Sequence, residues 1–355
     1  MKDFISAKET AKKWNISQRR VAILCAENRI DGAMMVGNMW IIPSTAEKPI
    51  DKRTIRYKKQ NVVQIKPFVK WVGGKSQLLN ELEKMLPSDG EKVLTKYVEP
   101  MVGGGALLFD ILSKFDFEQI YIGDINAELI NAYKAIKSNI DALISRLTEM
   151  QLLFLPKNQV ERKEFYYSAR DKFNALELNK DNSTEKAALF IFLNKTCFNG
   201  LYRVNRKGKF NVPMGTYKNP CICDKDNLRN ISKALQNVEI VCGDYSLSKN
   251  IIDKESFVYL DPPYRPISQT SGFTSYNADL FDDKEQIRLA QFIDEINGTG
   301  AKIVLSNSDP QNINEEDTFF EELYKSYTIK KVEASRMINS KSDGRGKIKE
   351  LLICN

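Results

Sequence analysis

The chain has 355 residues, enough for two or three structural units and a substantial buried core. Its 42% hydrophobic and 28% charged residues describe a folded soluble protein, and no apolar run approaches the roughly 20 residues of a membrane span. It contains no histidine, which excludes Ser-His-Asp and Cys-His catalysis, His-ligated zinc and an imidazole general base.

Chemistry must therefore run on carboxylates, amines, backbone groups and a cofactor. Six cysteines are scattered, and the one close pair, Cys221 and Cys223, lacks a second pair to complete a zinc site, so no metal is expected. No apolar segment of a signal peptide follows Met1-Lys2-Asp3-Phe4, which points to the cytoplasm. The net charge of +7 is uneven: residues 1–66 carry 14 Lys/Arg against 6 Asp/Glu, and the rest carries 39 against 40. A basic N-terminal block suits a polyanionic partner, with a solvated lysine-rich surface as the alternative.

Residues 1–45 read as a small unit. Ser6 and Glu9 form a capping box ahead of a helix through Lys13, and Ser17 can cap a second helix with Arg19 and Arg20 outside and Val21, Ile23 and Leu24 inside. Trp14-Asn15-Ile16 supplies the turn between them. Apolar runs at 33–36 and 39–42 flank Gly37-Asn38, a pair suited to a hairpin turn. The pattern is that of a winged helix-turn-helix and resembles excisionase/MerR-like DNA-binding modules; a helical docking or dimerisation module is the alternative. Residues 46–66, rich in Lys and Arg, read as a basic linker.

From residue 67 strands and helices alternate. Strands are expected at 97–100, 120–124, 238–241, 257–260 and 302–305, and helices at 106–114, 128–138 and 284–297. Alternation of this kind predicts an α/β fold with a mostly parallel sheet. Residues 141–237 break the rhythm and read as an inserted, mainly helical subdomain with a basic, Gly- and Asn-rich loop, leaving 67–140 and 238–355 as the catalytic domain.

Gly103, Gly104 and Gly105 follow a strand and open a helix, where backbone amides meet a ligand at close range. Asp124 ends the next strand and can accept ribose hydroxyls, a combination that suits a nucleoside cofactor. Val72-Gly73-Gly74-Lys75-Ser76 is not a phosphate loop, because the first glycine of that motif would fall on Val69.

Asp261-Pro262-Pro263-Tyr264 follows an apolar strand and so lies at its carboxyl end, where open α/β sheets place their sites. An exocyclic amino group of adenine is a poor nucleophile because its lone pair is delocalised into the ring. A carboxylate from Asp261 and the carbonyl of Pro262 accepting its two N–H bonds would localise that pair, with Tyr264 stacked on the base.

Phe68-Val69-Lys70-Trp71-Val72-Gly73-Gly74-Lys75, Glu99-Pro100-Met101-Val102-Gly103-Gly104-Gly105, Gly123-Asp124-Ile125-Asn126 and Asp261-Pro262-Pro263-Tyr264 occur in this order. In that order they resemble the Dam-type, alpha-class DNA adenine-N6 methyltransferases, over residues 67–355. The resemblance implies a Rossmann-like sheet with a reversed last strand, closed by the segment around Gly344-Arg345-Gly346. It implies an S-adenosylmethionine site lined by Trp71, Lys75, Gly103, Gly104, Asp124 and Asp261, with Asp244 and Tyr245 near the adenine ring. It further implies that the stretch from Asn194 to Pro213 recognises duplex DNA.

Charge supports DNA contact independently, since residues 194–220 hold six Lys/Arg and no acid. Arg203 is the choice for a base-edge contact, most naturally to guanine, with Asn199 and Tyr217 nearby. Leu201, Asn205, Lys207 and Pro213 complete the expected DNA-contacting set. The resemblance implies GATC as the target, and Thr216, standing where GATC-reading members carry a basic residue, widens that expectation to a related short site. A restriction-modification system with a cognate endonuclease, or an orphan methylase, would be the setting. A cytosine-N4 methyltransferase, which usually has serine for the first Asp, is one alternative; a DNA-binding regulator with methylation secondary is the other. RNA and glutamine methyltransferases usually start the motif with Asn and lack this insert.

Overall fold

The computed structural model describes residues 4–14, 16–26, 29–37, 39–46, 48–49, 56–57, 65–71, 73, 75, 78–86, 94–179, 181, 183–265, 281–335 and 347–355. Of the sequence expectations, Asn15, Asn38, most of the basic linker, Val72, Gly74, Ser76 and the Gly344-Arg345-Gly346 segment lie outside them. The chain divides into two compact units, Met1–Arg53 and Thr54–Asn355.

The first unit runs β1 (Phe4–Ser6), α1 (Ala7–Trp14), α2 (Gln18–Ala26), β2 (Met34–Val36) and β3 (Met39–Pro43). The backbone N–H of Ser6 donates to Glu9 Oε2 at 2.8 Å, and the N–H of Glu9 donates to Ser6 Oγ at 3.3 Å, which is the reciprocal capping expected of this pair. The two apolar runs pair as an antiparallel hairpin with Val36 opposite Met39, and β1, absent from the sequence reading, adds to β3 on its other side. Val21 and Leu24 are buried with Trp14, Cys25 and Ile42, but Ile23 is 36% exposed and is not a core residue. It falls between the two buried positions of a helix too short for a wide apolar stripe.

The second unit runs in chain order β4 (Arg56–Tyr57), α3 (Leu79–Glu83), β5 (Lys96–Glu99), α4 (Ala106–Lys114), β6 (Phe115–Asp116), β7 (Gln119–Asp124) and α5 (Ala127–Ser138). There follow α6 (Ile140–Phe154), α7 (Gln159–Ala175), α8 (Ser183–Thr196) and α9 (Lys225–Ala234). The remainder comprises β8 (Val238–Cys242), β9 (Ser256–Leu260), α10 (Asp283–Asn297), β10 (Lys302–Ser308), α11 (Phe319–Leu323), β11 (Thr328–Ser335) and β12 (Lys347–Cys354).

The main sheet has the order β11-β12-β10-β9-β5-β7-β8. The pairs β8–β7, β7–β5, β5–β9 and β9–β10 are parallel, whereas β12 runs antiparallel to both β10 and β11. This is a mixed α/β fold with a mostly parallel central sheet. From β5 the chain first builds outward through β7 to β8 and then returns to add β9 and β10 on the other side. The order therefore reverses between β5 and β9, the place where such sheets open a crevice at the strands' carboxyl ends.

β9 is buried along its whole length, as a central strand must be when helices cover both faces. One core joins α4 and α5 to the helices of the 141–237 segment, α6 to α9, and the second packs α10 against β9 and β10. α8 is apolar around its circumference, with Leu189, Phe190, Ile191, Phe192 and Leu193 all at or below 2% exposure. The inserted helices thus share the core of the sheet instead of forming a lobe of their own. No described helix is long and apolar enough to cross a membrane.

Candidate active site

Three acidic residues end neighbouring parallel strands: Glu99 on β5, Asp124 on β7, and Asp261 immediately after β9. Parallel register carries them to the same edge of the sheet, and the glycine turn lies over that edge. The N–H of Gly103 donates to Asp124 Oδ2 at 3.0 Å and the N–H of Asn126 donates to Oδ1 at 2.8 Å. Burial pushes the Asp124 carboxyl up, and these two backbone donors counteract it.

The turn itself admits only glycine. Gly103 and Gly105 have φ of 48° and 72°, and Tyr133 donates its hydroxyl to the Gly103 carbonyl at 3.1 Å. A Cβ on Gly103 would sit 2.9 Å, and one on Gly104 2.8 Å, from the Trp71 side chain. Trp71 in turn stacks on Tyr202 at 5.7 Å between ring centroids, so the 68–75 segment, the glycine turn and the insert meet here.

Glu99 was not singled out from the sequence. It is 2% exposed, and its Oε2 accepts from the Tyr97 hydroxyl at 2.8 Å. Burial raises its pKa to about 8, opposed by that hydrogen bond and reinforced by the charges of Asp261 and Asp124. A buried carboxylate at a strand end beside a glycine turn is a natural complement for a cationic ligand group.

Asp244 and Tyr245 lie just beyond β8, whose end reaches this edge through Gly243 N–H donating to the Asp124 carbonyl at 3.0 Å. The Asp244 carboxylate is already engaged: Arg288 donates to it at 3.1 and 2.7 Å, and Ser246 N–H at 3.0 Å. Those bonds hold its pKa down to about 2. Tyr245 is 4% exposed, packed on Phe292 with the Arg288 guanidinium 4.4 Å above its ring.

The two prolines end β9, because neither can donate to a ladder, and turn the backbone out of the sheet at Asp261. Leu260 pairs with Leu305 of β10, so the next residue on each strand brings Ser306 beside Asp261, whose Oδ1 accepts from Ser306 Oγ at 2.8 Å. Ser306 is fully buried and also bonded to the Tyr259 hydroxyl at 2.9 Å. Lys75 Nζ lies 3.2 Å from Asp261 Oδ1 and 3.1 Å from Glu350 Oε2, and it contacts the Tyr264 hydroxyl. Burial pushes the Asp261 carboxyl up while Lys75 and Ser306 pull it down. Burial likewise opposes the charge on Lys75, but Asp261, Tyr264 and Glu350 outweigh it and raise its pKa, so the amine stays protonated.

The basic stretch is an excursion between α8 and α9, folded back by isolated antiparallel bridges at Cys197–Met214 and Val204–Phe210. Tyr202, Phe210 and Val212 face the core, while Asn199, Arg203, Asn205, Lys207 and Pro213 are exposed and Leu201 and Tyr217 are half-buried. Asn199 sits in the left-handed region at φ 55°. The Oδ1 of Asn205 accepts from the N–H groups of Lys207 and Lys209 at 2.9 and 3.1 Å and closes the turn. Arg203 Nε donates to Asn211 Oδ1 at 2.8 Å, leaving the terminal guanidinium nitrogens at the surface.

Lys70 joins this stretch to the catalytic edge. Its ammonium lies 4.1 Å above the Tyr217 ring, and Asn194 bonds both its backbone N–H and its carbonyl at 2.8 Å. Lys70, Glu99, Ser306, Arg288 and Glu350 were all missed from sequence. Lys70 and Glu99 lie inside recognisable motifs and Glu350 inside the family-like closing strand; Ser306 and Arg288 meet the site through strand register and helix packing.

The family profile of D12 class N6 adenine-specific DNA methyltransferases matches residues 71–338. The chain is 50% identical over 295 residues to the type II methyltransferase M.MjaIII of Methanocaldococcus jannaschii, covering 82% of this chain and 100% of that one. It is 39% identical to the type II methyltransferase M1.LlaDCHI of Lactococcus lactis subsp. cremoris, over 83% of this chain and 97% of that one. It is 34% identical to a DNA adenine methylase of Vibrio cholerae, over 80% and 94% of the two chains. A sheet with a reversed strand, a glycine turn facing an acid, a strand-end Asp-Pro-Pro-Tyr and these relatives agree: the chain belongs to the D12 class and is an adenine-specific DNA N6-methyltransferase.

Proposed function

We propose that Asp261, Pro262, Pro263 and Tyr264 activate the adenine amino group, and that the edge formed by Trp71, Gly103, Gly104 and Asp124 holds S-adenosylmethionine, the cofactor used by this family. The observation that carries the reading is the asymmetry at Asp261: among the described residues, Ser306 and Lys75 both contact Oδ1. Oδ2 is left to accept from the substrate, and the Pro262 carbonyl accepts the second N–H.

The donor set fits the cofactor. Asp124 offers acceptors for ribose hydroxyls, the glycine turn offers an approach that any Cβ would close, and buried Glu99 offers a carboxyl that would ionise beside an ammonium group. When bound, the cofactor supplies an electrophilic methyl group. Asp261 and Pro262 orient the amino lone pair toward it, Tyr264 stacks on the flipped base, and Asp261 stands ready to take the proton that nitrogen must lose. Asp244 and Tyr245 border this edge and would line the adenine end of the cofactor, with Arg288 fixing the Asp244 carboxylate. Unstacking the adenine costs a few kcal/mol, offset by stacking and phosphate contacts.

Arg203, with Asn199, Leu201, Lys207, Pro213 and Tyr217 around it, would read and hold duplex DNA at GATC or a related short site. The relatives named type II methyltransferases support a restriction-modification setting with a cognate endonuclease. Residues 1–45 are read as a winged helix-turn-helix that adds DNA affinity and 46–66 as its linker. Residues 67–140 with 238–355 are read as the catalytic domain and 141–237 as the target-recognition segment.

Asp261→Ala should abolish labelling of duplex DNA from tritiated cofactor while DNA binding persists; retained labelling would remove Asp261 from the mechanism. Mapping modified bases in a methylation-free host expressing the protein identifies the target site. Deleting residues 1–53 should weaken DNA binding and spare methylation at saturating DNA; unchanged binding would remove the DNA role of that unit.

A further inference from the structure

Glu350 lies in the family-like closing strand, to which the sequence assigns no site role, yet β12 delivers it to the site. Its side chain is 11% exposed and lies 3.1 Å from a Lys75 ammonium that is 4% exposed. The Lys75–Asp261 pair is electrically neutral without it, and burying a further carboxylate carries a desolvation cost. With Glu350 the cluster carries one net negative charge.

Hydrogen counting shows what that carboxylate does. An ammonium has three hydrogens to donate. Lys75 meets three acceptors: Asp261 Oδ1 at 3.2 Å, Glu350 Oε2 at 3.1 Å, and the Tyr264 hydroxyl. Asp261 is touched on Oδ1 by both Lys75 and Ser306. We infer that Glu350 is a positioning residue for methyl transfer: by taking one Lys75 hydrogen it holds the ammonium on Oδ1 and keeps Asp261 Oδ2 open for the adenine amino group. The inference rests on the role given to Asp261 above.

Without Glu350, Asp261 is the one carboxylate left in contact with Lys75 among the described residues, and the spare hydrogen would turn to its second oxygen. A two-oxygen ion pair would then occupy and neutralise the group the substrate needs. The net negative charge also favours a nitrogen that becomes positive as its bond to carbon forms.

The test uses the full-length protein, unmethylated plasmid DNA and tritiated S-adenosylmethionine in single-turnover reactions, with cofactor and DNA affinities measured separately. Glu350→Met, which removes the acceptor that a glutamine would keep, should slow methyl transfer about ten- to a hundredfold, with both dissociation constants within about threefold of wild type. Glu350→Asp, which keeps the charge but withdraws it by one methylene, should slow transfer at least about threefold. A Glu350→Met rate within about twofold of wild type, or a loss of rate that only follows lost binding and lowered melting temperature, overturns the inference. Should Glu350→Met melt below the assay temperature, Glu350→Asp decides alone, and a wild-type rate overturns it. Asp261→Asn is the control: if it remains active the reading of Asp261 fails, whereas an inactive Asp261→Asn beside a fully active Glu350→Met sinks only the role of Glu350.

Discussion

Lys75, buried, and Asp261, half-buried, form an ion pair, Nζ to Oδ1 at 3.2 Å, that ties the segment before β5 to the turn after β9. Removing one partner of such a pair strands the other charge, which costs about 3–5 kcal/mol. Lys75→Met should therefore destabilise the protein by about that amount in urea unfolding and lower single-turnover methylation by about a hundredfold or more. Wild-type stability in this variant would show that the pair does not hold the site together.

Asp124 acts on the glycine turn as well as on the ligand, since its two oxygens bind the N–H groups of Gly103 and Asn126. Hydrogen bonds to a charged group are worth about 1.5–3 kcal/mol. Asp124→Ala should weaken cofactor binding about ten- to a hundredfold in calorimetry, with a smaller effect on the rate at saturating cofactor. A pure rate defect with unchanged affinity would place Asp124 elsewhere in the mechanism.

Glu99 makes the stability of the cofactor-free protein depend on pH. Its pKa is raised from the ordinary carboxylate range to about 8, chiefly by burial, so the folded state binds its proton more tightly than the unfolded chain does. That contribution is fully present below the unfolded pKa near 4.5 and is lost as pH rises through about 8. Comparing Glu99→Gln with wild type in urea unfolding from pH 5 to 8.5 should therefore show a wild-type decline on the order of a few kcal/mol that the variant lacks. Parallel curves for the two proteins would mean that Glu99 is not protonated in the folded state.

Arg203 presents its terminal nitrogens at the surface of the basic excursion, braced through Nε by Asn211. If it reads a base edge, Arg203→Ala should relax discrimination at one position of the target by about 1–3 kcal/mol, seen when methylation is compared across single-base variants of the site. A uniform loss across all sequences, with a shallower salt dependence, would make it a phosphate contact instead.

Sequence alone identified the carboxyl ends of the strands, because local rules act there. Glycines at 103–105 and prolines at 262–263 dictate backbone geometry within a few residues, and apolar runs such as 257–260 announce the strand that leads to each acid. It also determined that catalysis runs without imidazole and that the stretch from 194 to 220 is basic. The ladder register that sets Ser306 against Asp261, and the contact by which Glu350 on the reversed strand meets Lys75, were decided only by tertiary structure. Those contacts join residues from separate strands and loops, and nothing local in a buried serine or a C-terminal glutamate records which charge it will meet. The same holds for Ile23, whose apolar side chain faces solvent. Residue type fixes what a side chain can do, while packing fixes which neighbour it does it to.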